Sequence, residues 1–207
     1  MCHSAVPMQR FSPYATLHDH AFRRAGVDAI VCDGARISYE EFLERVMGSA
    51  NWLLQHGLAS DEPTGISIRD EVEHLVTAMA LLLLATPQIS LGAHESGPTK
   101  RALAEKVGVK QLIVDKVEAW MEGLRAIAVP ESGFSTVQGG AKDIFRAQPV
   151  DSVAIYQSTS GSTRTIDEPN TLIPKGLSTD CVRFMVTVSL FHIGYIGLHR
   201  AANGARD

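Results

Sequence analysis

Apolar positions along the chain change period several times, and each change predicts an element. Leu17 to Ala25 carries helical spacing that Gly26 closes. Ala29 to Cys32 is a short apolar run, Asp33-Gly34 is a hairpin turn signal, and Ala35 to Ile37 returns as a second strand. Ser38, with Glu41 three residues later, has the form of a capping box and starts a helix. That helix carries Phe42, Val46, Ala50, Leu53 and Leu54 at roughly helical spacing, and Gly57 stands where a helix-ending glycine is expected. Gly65 to Ile68 is a brief strand. Asp70 then caps a helix reaching about Leu84, whose apolar residues surround it almost completely and predict burial on several sides.

Pro87 ends that helix, and "PQISL" follows as a short strand. "SGPTKRALAEKVG" is a helix with Pro98 near its first turn and Gly108 at its end, and "VKQLIVD" is the strand directly after it. The pattern repeats more weakly from Val117 to Val129. "PESGFSTVQGGAKD", residues 130–143, is a glycine-rich polar loop. "DSVAIYQ" and "VRFMVTVSLF", residues 182–191, are two further strands, and the chain closes in polar residues. Strand and helix alternate, which predicts an α/β fold with a mixed or parallel sheet flanked by helices.

The 207 residues suffice for one sizeable domain, and 45% hydrophobic with 20% charged residues is ordinary globular composition that can form a core. A net charge of −4 without a basic cluster excludes a nucleic-acid footprint. Cys2, Cys32 and Cys181 are far apart and form no CxxC pair, which argues against a zinc site or disulfide framework and fits a reducing compartment such as the cytoplasm. The N-terminus lacks the features of a signal peptide, and the apolar run Leu75 to Ala85 is too short for a membrane span. His18 and His20 flank Asp19, but residues two apart face different sides of a helix, so a solvated face explains them better than a metal. Glu40 and Glu41 are helix-start acids favoured by the dipole rather than a catalytic pair. Nothing marks Cys181 as activated.

The densest chemistry follows the strand "VAIYQ". "STSGST", residues 158–163, offers hydroxyls, backbone N–H groups and a glycine that lets the chain approach an anion closely. Such a loop at the carboxyl end of a strand suits phosphate binding, and a plain surface loop has the same composition. The Walker pattern GxxxxGKS/T is absent. A serine nucleophile at Ser160 lacks the first glycine that a GxSxG elbow needs.

"TSGST" resembles the phosphate-loop signature of the adenylate-forming (AMP-binding) enzymes, which include acyl- and aryl-CoA synthetases and the adenylation domains of peptide synthetases. Their signature runs Ser/Thr-Ser-Gly-Ser/Thr-Thr-Gly-x-Pro-Lys-Gly. "DAIVCDGARISYEEFLERVMGSANWLLQHGL" is similar to the family's opening hairpin and long helix. The stretch from "TGISIRDE" to "KQLIVD" is similar to its next strand–helix–strand units, and "VTVSLFHIGYIGLHRAANGAR" to its "PLFHxxG" segment. The resemblance implies binding of ATP, with magnesium, and of a small-molecule carboxylic acid, whose carboxylate attacks the α-phosphate to give acyl-adenylate and pyrophosphate. Coenzyme A or another thiol then takes the acyl group. It implies that Thr159, Ser160, Gly161, Ser162 and Thr163 hold the β- and γ-phosphates, and that His192 falls near the acyl pocket. A histidine at a strand end also serves as a hydrogen-bonded residue at the edge of a core.

The chain departs from the family's pattern at Arg164, where a glycine is expected. Pro174-Lys175-Gly176 follows only after residues 164–173, so "RTIDEPNTLI" is either an insertion or foreign sequence. Lys175 is then the displaced signature lysine, or, if "KGLSTDCVRF" is the loop before the next strand, an unrelated one. The family's Tyr-Gly-x-Thr-Glu motif, ribose-binding Asp, hinge and C-terminal lobe with its lysine have no counterpart. The resemblance therefore implies a single partial domain over 1–207, disturbed at 164–181, without the C-terminal lobe and with weak or no activity alone. The alternative is a non-catalytic module that binds a nucleotide, or a protein partner or second copy through exposed apolar surface.

Overall fold

The computed structural model describes residues 13–32, 34–134 and 155–156. Helix α1 (Pro13–Arg23) leads into the antiparallel hairpin of β1 (Asp28–Cys32) and β2 (Ala35–Ser38), and then into α2 (Tyr39–Gln55). Strand and helix then alternate through β3 (Thr64–Ser67), α3 (Glu71–Leu83), β4 (Gln88–Ser90), α4 (Gly97–Val107) and β5 (Gln111–Val114). A single 3-10 turn at Ala119–Met121 precedes β6 (Arg125–Ala128). The expected strand 182–191 lies outside the described residues, and β7 (Ile155–Tyr156) is the last described strand of the main sheet. Its five strands run in the order β6-β5-β3-β4-β7, all parallel, so antiparallel pairing among the described residues is confined to the hairpin.

The sheet is covered on both faces, as parallel sheets require. Along β5 the pleat sends Ile113 to one apolar cluster and Leu112 and Val114 to another. The larger cluster unites α1, α2, α3 and the hairpin over one face, with Leu17, Ile37, Val46, Leu53 and Phe134 among its buried members. The smaller packs Ala104 of α4, Val109 and Met121 against the opposite face. Gln111 is fully buried yet satisfied. Its Nε2 donates to the Ala59 carbonyl at 2.5 Å and to Thr64 Oγ1 at 2.9 Å, and its Oε1 accepts from the Ala59 N–H at 3.1 Å. One side chain thereby ties the amino ends of β3 and β5 to the loop after α2.

Local chemistry sets the helix ends. Ser38, Asp70 and Ser96 cap α2, α3 and α4, each accepting the backbone N–H three residues on. The Glu41 carboxylate accepts from Arg45 one turn later, at 3.1 and 2.6 Å. Helix α1 starts at Pro13, earlier than the apolar period indicates, because proline is at home in a first turn where its missing N–H has no partner to lose. Strand β3 begins at Thr64 and ends at Ser67, one residue ahead of the expected run.

Helices α2, α3 and α4 end in the same motif. The N–H of Leu58 reaches back to the Leu53 carbonyl, that of Val109 to Ala104 and that of Thr86 to Leu81, each at 2.9 Å. The residue before each donor turns left-handed. Gly57 and Gly108 do so at φ +84° and +76°, but at the end of α3 the position belongs to Ala85, at φ +57°. A Cβ there is strained. Ala85→Gly is expected to raise stability by up to about 1 kcal/mol, read as a higher urea midpoint at unchanged slope.

Candidate functional site

Open α/β sheets place their chemistry beyond the carboxyl ends of the strands, where connections reverse direction. Here β3 leads toward β4 and β5 toward β6, so the reversal falls between β3 and β5. An ion pair occupies it: Arg69 Nε donates to Asp115 Oδ2 at 2.7 Å, and the Arg69 N–H approaches the same oxygen at 3.4 Å. Burial works against the charged Asp115, but the hydrogen bond and charge of Arg69 outweigh it and hold the carboxyl below its usual range.

The next gap, between β3 and β4, is bridged by a buried histidine. His74, in the first turn of α3, lies with Nε2 2.8 Å from Ser90 Oγ at the end of β4 and Nδ1 3.4 Å from the Ile68 carbonyl. Burial pushes its imidazole below the ordinary histidine value, against smaller opposing effects of the Ile68 carbonyl and the Glu71 charge. Lys100 of α4 is buried as well, donating to Ser67 Oγ at 3.2 Å and the Ala93 carbonyl at 3.3 Å, with its ammonium 5.6 Å from the Trp120 ring centre.

A second polar anchor fixes the segment after β6. Glu73 accepts the Phe134 N–H at 2.9 Å, and the Phe134 ring, fully buried, meets Trp52 edge-on at 5.6 Å. Gly133 has φ +64°, a conformation that favours glycine, and a Cβ there would press on the Glu73 carboxylate that holds the Phe134 N–H. Burial raises the Glu73 carboxyl, the Phe134 N–H lowers it, Asp70 raises it and Arg45 lowers it, with a net upward shift.

Strand β7 pairs with β4 in parallel, Ile89 opposite Tyr156, so its carboxyl end lies on the same side of the sheet as Ser90. In the chain Tyr156 precedes the Ser/Thr/Gly run by one residue, Gln157. The sequence-derived candidates Thr159, Ser160, Gly161, Ser162, Thr163, Lys175 and His192, with Cys181, lie outside the described residues. The "HDH" residues diverge: His18 faces Tyr14 at 5.5 Å, Asp19 pairs with Arg23 at 2.7 Å, and His20 stacks on Tyr39 at 5.4 Å. Among the described residues no three His, Cys, Asp or Glu side chains stand together as a metal site, and no helix is long and apolar enough to cross a membrane.

Sequence reasoning did not single out His74, Ser90, Lys100 or the Arg69–Asp115 pair. His74 leaves one trace, a lone polar residue at the mouth of the apolar run from Leu75 onward. Lys100 leaves none, standing among the charged residues Arg101, Glu105 and Lys106.

Two stability predictions follow from these anchors. Phe134→Ala should cost about 3–5 kcal/mol in denaturant unfolding, the usual range for an emptied aromatic site. For His74, the folded state resists protonation while the unfolded histidine takes its proton near pH 6.5. The unfolded state therefore binds more protons as the pH falls below that value, and stability should decline there. His74→Gln should flatten this part of a stability profile measured between about pH 7.5 and about pH 5.

Comparison with known proteins gives the same fold. The N-terminal subdomain of NpsA from Klebsiella oxytoca, in complex with 3-hydroxyanthranilyl-AMSN, superposes with a TM-score of 0.62 at 19% identity, over 73% of this chain and 38% of that one. A second structure of that subdomain reaches a TM-score of 0.65 at 18% identity, over 76% and 41%. O-succinylbenzoate coenzyme A synthetase (MenE) from Bacillus subtilis, in complex with AMP, gives 0.61 at 18% identity, over 72% and 40%. The chain thus spans about two-fifths of the length of these proteins. No curated protein matches the sequence. The family described as "AMP-binding enzyme" matches residues 17–165, well over half of the chain. The chain belongs to the AMP-binding enzyme family.

Proposed function

We propose that this chain carries the ATP-binding side of an enzyme that activates a small carboxylic acid as its acyl-adenylate. One observation carries this: the family match over residues 17–165 takes in the whole run Thr159 to Thr163. The MenE structures with AMP and with the acyl-adenylate intermediate OSB-AMP support the same chemistry. The acid's carboxylate oxygen attacks the α-phosphorus, the bond to the bridging oxygen breaks, and pyrophosphate leaves. Thr159, Ser160, Ser162 and Thr163 donate hydroxyl and backbone hydrogen bonds to the β- and γ-phosphates, and Gly161 leaves room for them. Magnesium, when bound, supplies charge neutralisation on those phosphates. Coenzyme A or another thiol is the acyl acceptor, in a reducing, cytoplasmic setting that the scattered cysteines suit.

The match ends at residue 165, one past Arg164, and leaves Lys175 and His192 beyond it. This supports a single partial domain over 1–207 that is disturbed at 164–181 and weakly active or inactive alone. Lys175 in that reading is the displaced signature lysine, and His192 borders the acyl pocket.

The test is ATP–pyrophosphate exchange across a panel of aryl and alkyl acids, with ATP binding measured by calorimetry. Slow, acid-dependent exchange is expected. Thr163→Ala should weaken ATP binding roughly 10- to 100-fold, the loss of a hydrogen bond to a charged group. ATP binding without exchange for any acid would mark a nucleotide-binding module, and absence of binding would overturn the proposal.

A further inference from the structure

The His74–Ser90 contact has the geometry of a nucleophile and its base. The Ile68 carbonyl can only accept, so the proton of the neutral imidazole sits on Nδ1 and the lone pair on Nε2 faces Ser90 Oγ at 2.8 Å. The Ser90 hydroxyl must therefore donate to His74, the direction in which a general base relieves a serine of its proton. The imidazole is fixed by its place on a buried helix and by the Ile68 carbonyl, which orients the ring as a third group does in a serine triad. Glu71, one turn back on α3, is the acid whose charge favours the imidazolium that would form. Ser90 itself is only partly buried and ends β4, on the side of the sheet where open α/β folds bind ligands.

We propose that Ser90 is an acyl-accepting nucleophile, with His74 as its general base, for activated derivatives of small carboxylic acids such as esters and mixed anhydrides. Ser90 Oγ attacks the acyl carbon as its proton passes to His74 Nε2. The bond from the acyl carbon to the leaving oxygen breaks, and that oxygen takes the proton from Nε2. O-acyl-Ser90 and the free alcohol or acid result. Water attacking by the same route returns the serine. This chemistry needs no nucleotide and stands apart from adenylation.

The whole chain, without ATP, is treated with p-nitrophenyl acetate and with a fluorophosphonate, and adducts are located by peptide mass mapping. One adduct at Ser90 is expected, absent in Ser90→Ala. Because His74 is held below the ordinary histidine value, the wild-type rate should level off at neutral pH and fall only in acid, following a single ionisation. His74→Gln should slow acylation about 100-fold or more. If that variant does not fold, Ser90→Ala and the wild-type pH profile decide the matter. No adduct, an adduct on another residue, or a rate that climbs with hydroxide through neutral pH without levelling would overturn the proposal, since a serine that only braces the fold gives those outcomes.

Discussion

Beyond its first three residues helix α3 has no face to show to water, and the architecture follows from that. Every residue from His74 to Leu83 is buried. A helix of this kind must be enclosed: it packs on the sheet through β3 and β4, on α1 and α2, and on the hairpin through β1. Each fully buried leucine contributes roughly 1.5–3 kcal/mol relative to exposure, so leaving one side open would be costly. The hairpin and first two helices are the cover that the sheet's central crossover requires. Gln88 adds a polar tie, its Nε2 donating to the Ala78 carbonyl of α3 at 2.8 Å.

The same enclosure makes the carboxyl ends of the strands precise. Rigid neighbours lock side chains there into single arrangements, which is what a binding or catalytic group needs. His74 is placed by α3, Lys100 by α4, and Asp115 directly by β5. The two helical residues are brought to the carboxyl ends of the strands by crossovers whose apolar packing fixes their positions. The Glu73–Phe134 anchor extends that control to the segment leaving β6, ahead of the chain's return to the sheet as β7. The Ser/Thr/Gly run follows one residue after that return. Strand β7 is held by the same sheet through its pairing with β4.

The sequence-derived residues with chemistry follow Tyr156 in the chain and lie outside the described residues, while among the described residues the fold brings together His74 with Ser90 and Arg69 with Asp115. These two sets come from different kinds of information. Hydroxyl- and glycine-rich loops are legible because the requirement for phosphate contact is local and needs several small residues in a row. The pairing of His74 with Ser90, or Arg69 with Asp115, joins residues 16 and 46 positions apart, and no local pattern announces it.

Among the described residues the sequence by itself determined the element order, because apolar period, caps and glycines act over four or five residues. Ser38, Asp70, Gly57 and Gly108 mark helix ends by chemistry that any chain would obey. It determined, too, that α3 would be buried, since a helix apolar on all sides has no other stable place. Only the tertiary structure decided that the described strands of the main sheet are all parallel with β3 in the middle of their order, and that Ala85 accepts a left-handed turn without being glycine. It also decided that a histidine, a lysine and a glutamine leave water altogether. Those outcomes depend on which distant partners satisfy each buried group, and a partner across the sheet is fixed by packing, not by spacing along the chain.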